Sequence, residues 1–501
     1  MNKPFTASEV QKAIKSIKNN KSAGCDDVKA ELLKHAPHQI NECIAKLLNH
    51  MAKTGDYPEE IKKGILIPIP KPGKKQGPPQ NLRPIVLLSI LRKVLAIIMI
   101  TRCQDKINSQ IPITQAAYRS GRGTTEHVFT IKTLAEKAIT SSNYEINILL
   151  LDMSKAFDTI KRDILMEDLK EILAEDELHI FYLLLKDVEI QVKIDKHYGE
   201  TISTNIGAPQ GDCASAILFT LYLAKALQDK KLLDPPETSQ SAQQPSSNQH
   251  NLTIDQQYAD DIGWATTNTG LTTNIKKNVP PILHERNLNI NLDKTEEYII
   301  SKEGPENWKK CRYLGSLLST EEDINRRKSL AIHTFNQLKH VFNSDKTSIN
   351  IKMRIFQAYV CSVFLYNSEL WTLTKKQEHK IDVFQRTLLR KVARITKLDR
   401  VRNEDLYGKT KGQPWSHTIK KRRLNWLGHL LRLPSNTPAR QALSEYERKV
   451  KRPVGRPKPT WVAHIIKECK SVTANINLTE LEIMSKDRRT WRQFVARVMA
   501  T

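Results

Sequence analysis

Apolar positions along the chain change period several times, and each change marks an element. Residues 6–53 carry two amphipathic helical repeats, separated by the polar stretch "NNKSAGCDD". "GILIPIPKPGKKQGPPQNLRPIVLLS" follows, two apolar runs around a Pro/Gly/Lys loop, which predicts a basic hairpin. Residues 90–140 have a helical pattern interrupted by "QAAYRSGRGTTE". "INILLLD", 146–152, is a continuous apolar run ending in a carboxylate, which suits a strand buried on both faces. A helix is predicted from about Lys155 to Leu173. "VEIQVKIDKHYGETISTNI" predicts two strands around a turn, and "GAPQGDCASAILFTLYLAKALQ" a tight loop leading into an apolar helix. Residues 229–250 are Ser/Gln/Pro-rich and predict a flexible insertion. A strand–turn–strand is expected at about 252–267, and beyond residue 320 the pattern is almost wholly helical until Gly and Pro return at 452–459.

Composition narrows the partners. Among 501 residues, 79 Lys and Arg face 54 Asp and Glu, a formal charge of +25. That balance points to a polyanion, with nucleic acid first. Residues 401–501 hold 22 Lys/Arg against 8 Asp/Glu, more than half of the net charge. The seven cysteines include no C-x-x-C pair and fit neither a zinc module nor a disulfide framework. No apolar run reaches the roughly 18 residues of a membrane span, and the N-terminus lacks a signal-peptide core. The expectation is an intracellular protein without a membrane partner. "KKRR" at 420–423 also matches a nuclear address.

The chemistry centres on "QQYADDIGWA", residues 256–265. Adjacent charges about 4 Å apart repel by about 4 kcal/mol at an effective dielectric of about 20. Asp260 and Asp261 therefore imply either a solvated turn or a bound cation. Asp152 ends the earlier buried strand; alone it would read as a helix cap. Three carboxylates delivered by two strands suit a pair of Mg²⁺ ions, since hard cations take oxygen ligands and two metals can clamp a phosphoryl transfer.

These motifs resemble the reverse transcriptases of non-LTR (LINE-like) retrotransposons. "LDMSKAFDTI" resembles their first catalytic motif, "GAPQGD" the PQG motif beside the dNTP, and "YADD" the second catalytic motif. "NLNINLDKTEEYI" and "RYLGSLLS" follow in the family's order, the latter like its primer grip. "KNNKSAGCDDVKAELLK", "IPIPKPGKK…NLRPIVLLS" and "QAAYRSGRGTTE" resemble the finger motifs, and "KRRLNWLGHLLRLP" and "GRPKPTW" the C-terminal parts.

The resemblance implies an α+β right-hand polymerase with a ferredoxin-like βαββαβ palm. Residues 1–140 would form the fingers and N-terminal extension, 141–320 the palm, 321–400 a helical thumb or connection, and 401–501 a basic, mostly helical nucleic-acid-binding region. The implied activity is RNA-directed DNA polymerisation. Asp152, Asp260 and Asp261 would bind two Mg²⁺, with Mn²⁺ as an alternative. Lys294 would be the proton donor to pyrophosphate. Phe157 would be the steric gate against a ribose 2′-OH, Gln210 and Gly211 would lie along the nucleotide, and Lys71 and Arg83 would neutralise its triphosphate. Arg119, Arg122, Tyr313, Leu314, Gly315, Lys420, Lys421, Arg422 and Arg423 would contact nucleic acid. Each has a plain alternative: Phe157 as core, the basic groups as solvated surface, and the stripe Leu424, Leu427, Leu431 as helix packing. The partners would be template RNA, primer or target DNA and dNTPs.

Three departures stand out. Asp212 occupies the place after PQG where a small Ser is usual, so it would either repel the triphosphate or face solvent. Gly263 replaces a β-branched strand residue. Nothing resembles the endonuclease that usually precedes this polymerase, so nicking is expected in trans. Two other readings remain open: a non-catalytic RNA-binding retroelement remnant, and a group II intron-type maturase.

Overall fold

The computed structural model describes residues 3–501 except 72, 74, 76, 143, 229–251, 397 and 448–458. The expected insertion at 229–250 therefore lies outside the described residues, as does most of the Gly/Pro stretch at 452–459.

The strand Ile146–Ser154 organises the molecule. Its residues alternate between two cores. Leu149, Leu151 and Met153 point to one, shared with the helix Ser215–Ala226 and the helix Thr269–Glu285, while Ile146, Ile148 and Leu150 point to the other. That double burial is why the run has no polar alternation. On one side the strand pairs antiparallel with Asp261–Thr266, which pairs in turn with Thr253–Tyr258. On its other side lie Glu296–Ile300 and Asn289–Ile290. Counting the four main strands in chain order, their order across the sheet is fourth, first, third, second, the ferredoxin-like arrangement expected for a palm.

A second sheet carries the predicted basic hairpin, Lys63–Pro70 with Leu82–Leu88. The hairpin Val188–Ile194 and His197–Thr204 extends it through a parallel pairing of Lys63–Leu66 with Glu189–Val192. Three helices, Ala7–Ser16, Ala30–His35 and His38–Thr54, replace the two expected N-terminal helices, because Pro37 breaks the second. The helix expected from Lys155 is also corrected. Ala156–Asp158 is a 3₁₀ turn and the helix proper is Arg162–Lys170. The carbonyls of Phe157 and Ile160 accept from Ala208 N and Gly207 N, so they are used by the PQG loop rather than by a helix.

Beyond residue 320 the helices enclose an aromatic core that includes Phe356, Phe364, Trp371 and Trp415. The helix Trp415–Arg432 leaves that core: Trp415 and Ile419 belong to it, whereas Leu424, Leu427, Leu430 and Leu431 join the second palm core. The tryptophans Trp426, Trp461 and Trp491 therefore do not form a separate C-terminal core. Phe129, on the helix Thr124–Thr140, meets Trp461 at 5.0 Å and Trp426 at 6.0 Å between ring centroids. The Glu136 carboxylate accepts from Thr372 Oγ1 and Trp461 N, tying the helical bundle and the C-terminal region to the back of the palm. Among the described residues, no helix is long and apolar enough to cross a membrane.

Candidate active site

Asp152 and Asp261 are direct partners across the two central strands. Tyr258 pairs with Asp261, so Ala259 and Asp260 form a two-residue hairpin turn, with Ala259 at φ 54°. Positive φ at such a position matches the twist of the flanking strands. The three carboxylates thus arrive at one edge of the palm from a register that their strands fix. Burial raises Asp260 above the usual carboxylate range, and the charge of Asp152 adds to this. Burial, then the charges of Asp260 and Asp152, push Asp261 up to about 6.

Lys294, in the turn Leu292–Lys294, donates to Asp152 Oδ2 at 2.7 Å. The three carboxylates do not all lie within 4.8 Å of one another; among the described residues the group that does is Glu378, His464 and Glu468. There Lys375 already pairs with Glu378, and Arg423 with Glu468. The palm set, by contrast, offers oxygen donors alone, with excess negative charge answered by one ammonium, and this donor chemistry fits hard divalent cations.

The lining of a cleft of about 220 Å³ includes Tyr118, Phe157, Gln210, Gly211, Asp212 and Ser215, and the charge of Asp260 reaches Tyr118. Phe157 is half-buried and stacks on Phe219 at 4.5 Å. Gln210 Nε2 donates to Asp158 Oδ1 at 3.2 Å, and its carbonyl accepts from Val86 N at 2.7 Å. Gly211 lies at φ 128°, and a Cβ there would stand 2.3 Å from Val86 O. Only glycine fits this approach. Lys71 Nζ donates to Gln80 O at 2.9 Å, and its charge also reaches Asp158; Arg83 is exposed on the strand Leu82–Leu88.

Asp212 is held in a buried ion pair rather than facing solvent. Its Oδ2 accepts from Arg92 Nε at 2.9 Å and its Oδ1 from Ala214 N at 3.0 Å. Gly263 has a local reason too: a Cβ would lie 3.1 Å from Leu150 Cδ2 and 3.5 Å from the Tyr313 hydroxyl.

The nucleic-acid residues fare differently. Arg119 donates to the carbonyl of Pro112, and Arg122 to Glu126 and to the carbonyl of Ile113, so both brace their own loop. Tyr313 is buried, and its hydroxyl donates to Gln256 Oε1 at 3.4 Å. Leu314 and Gly315 turn the chain with φ 43° and 79°, and their carbonyls accept from Tyr366 and from Arg326 and Arg327. The basic quartet has intramolecular partners too. Lys420 donates to Val498 O, Arg422 to Leu365 O, and Arg423, 1% exposed, to Glu468 and Trp371 O. Lys420, Arg422 and Arg423 thus brace neighbouring segments, while Lys421 and Arg422 remain exposed.

Sequence reasoning passed over Arg92, Gln115, Tyr118 and Asp158. Arg92 had a signal: it lies on the same helical stripe as buried Ala96, Met99 and Cys103, where an unpaired charge could not stay. Gln115 and Tyr118 lay inside "QAAYRSGRGTTE" but were given no role.

Residues 69–318 match the family described as reverse transcriptase (RNA-dependent DNA polymerase). Over 408 residues the chain is 24% identical to a Drosophila melanogaster protein named probable RNA-directed DNA polymerase from transposon BS, covering 78% of this chain and 45% of that one. It is likewise 24% identical over 220 residues to the RNA-directed DNA polymerase from the mobile element jockey of the same organism, covering 43% and 24%. The chain thus spans less than half the length of these relatives. A telomerase structure from Candida tropicalis aligns with 82% of this chain and 68% of its own, at 14% identity and a TM-score of 0.37. Through residues 69–318, the chain belongs to the reverse transcriptase family.

Proposed function

We propose that this chain copies RNA into DNA as the polymerase of a non-LTR retrotransposon. The observation that supports this most is the register pairing of Asp152 with Asp261, with Asp260 in the adjoining turn. Asp152, Asp260 and Asp261 would hold two divalent ions, Mg²⁺ or Mn²⁺. When bound, these would stabilise the charge that develops on the transferring phosphoryl group.

The chain's own groups supply the rest. Phe157, held in place by Phe219, would leave no room for a ribose 2′-OH. Gly211 would let the backbone approach the nucleotide, and Asp158 would orient Gln210 toward it. Lys71 and Arg83 would neutralise the triphosphate. Lys294, which donates to Asp152 Oδ2 at 2.7 Å, would give a proton to the departing pyrophosphate. Template RNA, primer DNA and dNTPs are the implied partners. The case for a non-catalytic remnant is weaker now that Asp212 is a buried structural carboxylate.

Primer extension on poly(rA)/oligo(dT) with Mg²⁺ tests this reading. Template-dependent DNA synthesis is expected, and Asp260→Asn should abolish it while RNA binding persists. A chain that binds RNA but extends no primer would instead be the non-catalytic protein.

A further inference from the structure

The loop of residues 112–122 is fastened to the hairpin that carries Asp260 and Asp261. Gln257 N donates to Thr114 O and Ala116 N to Gln257 O, each at 3.0 Å, which makes a short parallel bridge between Gln115 and Gln257. The Gln115 side chain lengthens this joint. Its Oε1 accepts from Ala117 N and from Ala259 N, both at 3.0 Å, and none of the residue reaches water. Two N–H donors converge on one atom, so that atom is the amide oxygen; the reversed amide would set donors against donors.

Both ends of the joint matter. Ala259 is the left-handed residue directly before Asp260, and Tyr118, also left-handed at φ 58°, lines the cleft with Phe157 and Gln210. A single side chain therefore restrains the carboxylate turn and the cleft wall together. A glutamine that merely filled space would be replaceable by an apolar residue of equal length. Instead, Gln115 Nε2 is buried without a partner, a cost the fold carries while Oε1 makes its two bonds.

We propose that Gln115 is a positioning residue for nucleotidyl transfer: its Oε1 fixes the backbone in front of Asp260 and locks that turn to the loop bearing Tyr118. The inference rests on the polymerase reading above. Because a misplacement of about 1 Å can cost about 100-fold in rate, losing the acceptor should slow chemistry. Its effect on dNTP affinity should be smaller and pass through Tyr118 alone, since Phe157, Gln210 and Gly211 stand on other segments.

The test compares Gln115→Met, which keeps the length but has no oxygen acceptor, with Gln115→Glu, which keeps one. Single-turnover extension on poly(rA)/oligo(dT) with dTTP and Mg²⁺ gives the burst rate and burst amplitude. Amide hydrogen exchange of residues 256–262, read without nucleotide or metal, reports on the joint itself. In Gln115→Met the burst rate should fall about 10- to 100-fold at unchanged amplitude, with faster exchange at Ala259. Gln115→Glu should recover the rate to within about threefold of wild type and restore protection. Three results overturn the role: an undiminished rate in Gln115→Met, a lost amplitude at normal rate, which is the mark of a purely structural residue, or unchanged exchange at Ala259. A wild-type chain that extends no primer sinks the polymerase reading and this role with it. An active wild type beside an equally active Gln115→Met sinks the Gln115 role alone.

Discussion

Arg92 and Asp212 form an ion pair at 2.9 Å, with 1% and 4% of their side chains exposed. Arg92 also donates to the carbonyls of Ile61 and Leu184, so one guanidinium joins the end of a short helix, the helix Glu175–Leu185 and the PQG loop. Replacing one partner of such a pair strands the other charge in a dry interior, a loss of about 3–5 kcal/mol. Asp212→Ser should therefore unfold at a clearly lower urea concentration with an unchanged slope. A midpoint equal to wild type would mean that water reaches Arg92.

Asp261 carries a stability cost whose sign can be worked out. Its folded value of about 6 lies above the ordinary 3.8, so between those values the native state holds a proton that the unfolded chain has lost. The contribution is present below pH about 4 and disappears as pH rises through about 6. At neutral pH the ionised carboxylate destabilises the fold. Asp261→Asn should then be more stable than wild type at pH 7.5 in EDTA, by about 3 kcal/mol at most. It should lose that advantage at pH 4, while extending no primer. Thermal melts at both pH values decide the matter; equal melting temperatures at pH 7.5 would show the carboxylate to be solvated.

Phe157 is half-buried, and its ring packs on Phe219 on one side and borders the cleft on the other. Phe157→Val should raise ribonucleotide use relative to dNTP use by about tenfold or more, within the range that pocket volume alone can supply. The ratio of the two kcat/KM values is the measurement. An unchanged ratio in an active variant would assign the ring to the core alone.

Much of this site is legible in the chain because strand period and turn chemistry are local. "INILLLD" has no polar alternation, and it lies between two cores. "YADD" places a carboxylate beside a two-residue turn, and the register puts Asp261 opposite Asp152. What is not legible depends on partners far along the chain. Arg92 and Asp212 are 120 residues apart, and Gln115 and Ala259 are 144 apart. The basic quartet is a similar case: the partners of Lys420, Arg422 and Arg423 are also distant in sequence, so charge density alone does not reveal them.

That quartet yields the last prediction. Arg423 is buried against Glu468, whose Oε2 is itself buried without a partner, whereas Lys421 is exposed. Arg423→Gln should cost about 3 kcal/mol, because it removes a buried partner of Glu468 and leaves that carboxylate to His464, and Lys421→Gln should stay within about 0.5 kcal/mol. If the helix is structural glue, Lys421→Gln should change the slope of log K against log[salt] for single-stranded RNA by no more than the roughly 0.7 of one phosphate contact. Changing all four to Gln should lower stability before it changes that slope. Deleting 401–501 is a poor substitute, since it would strip cover from the helix Thr124–Thr140 and the back of the palm. A quartet variant that melts like wild type and flattens the slope by two contacts or more would return the helix to the nucleic-acid interface.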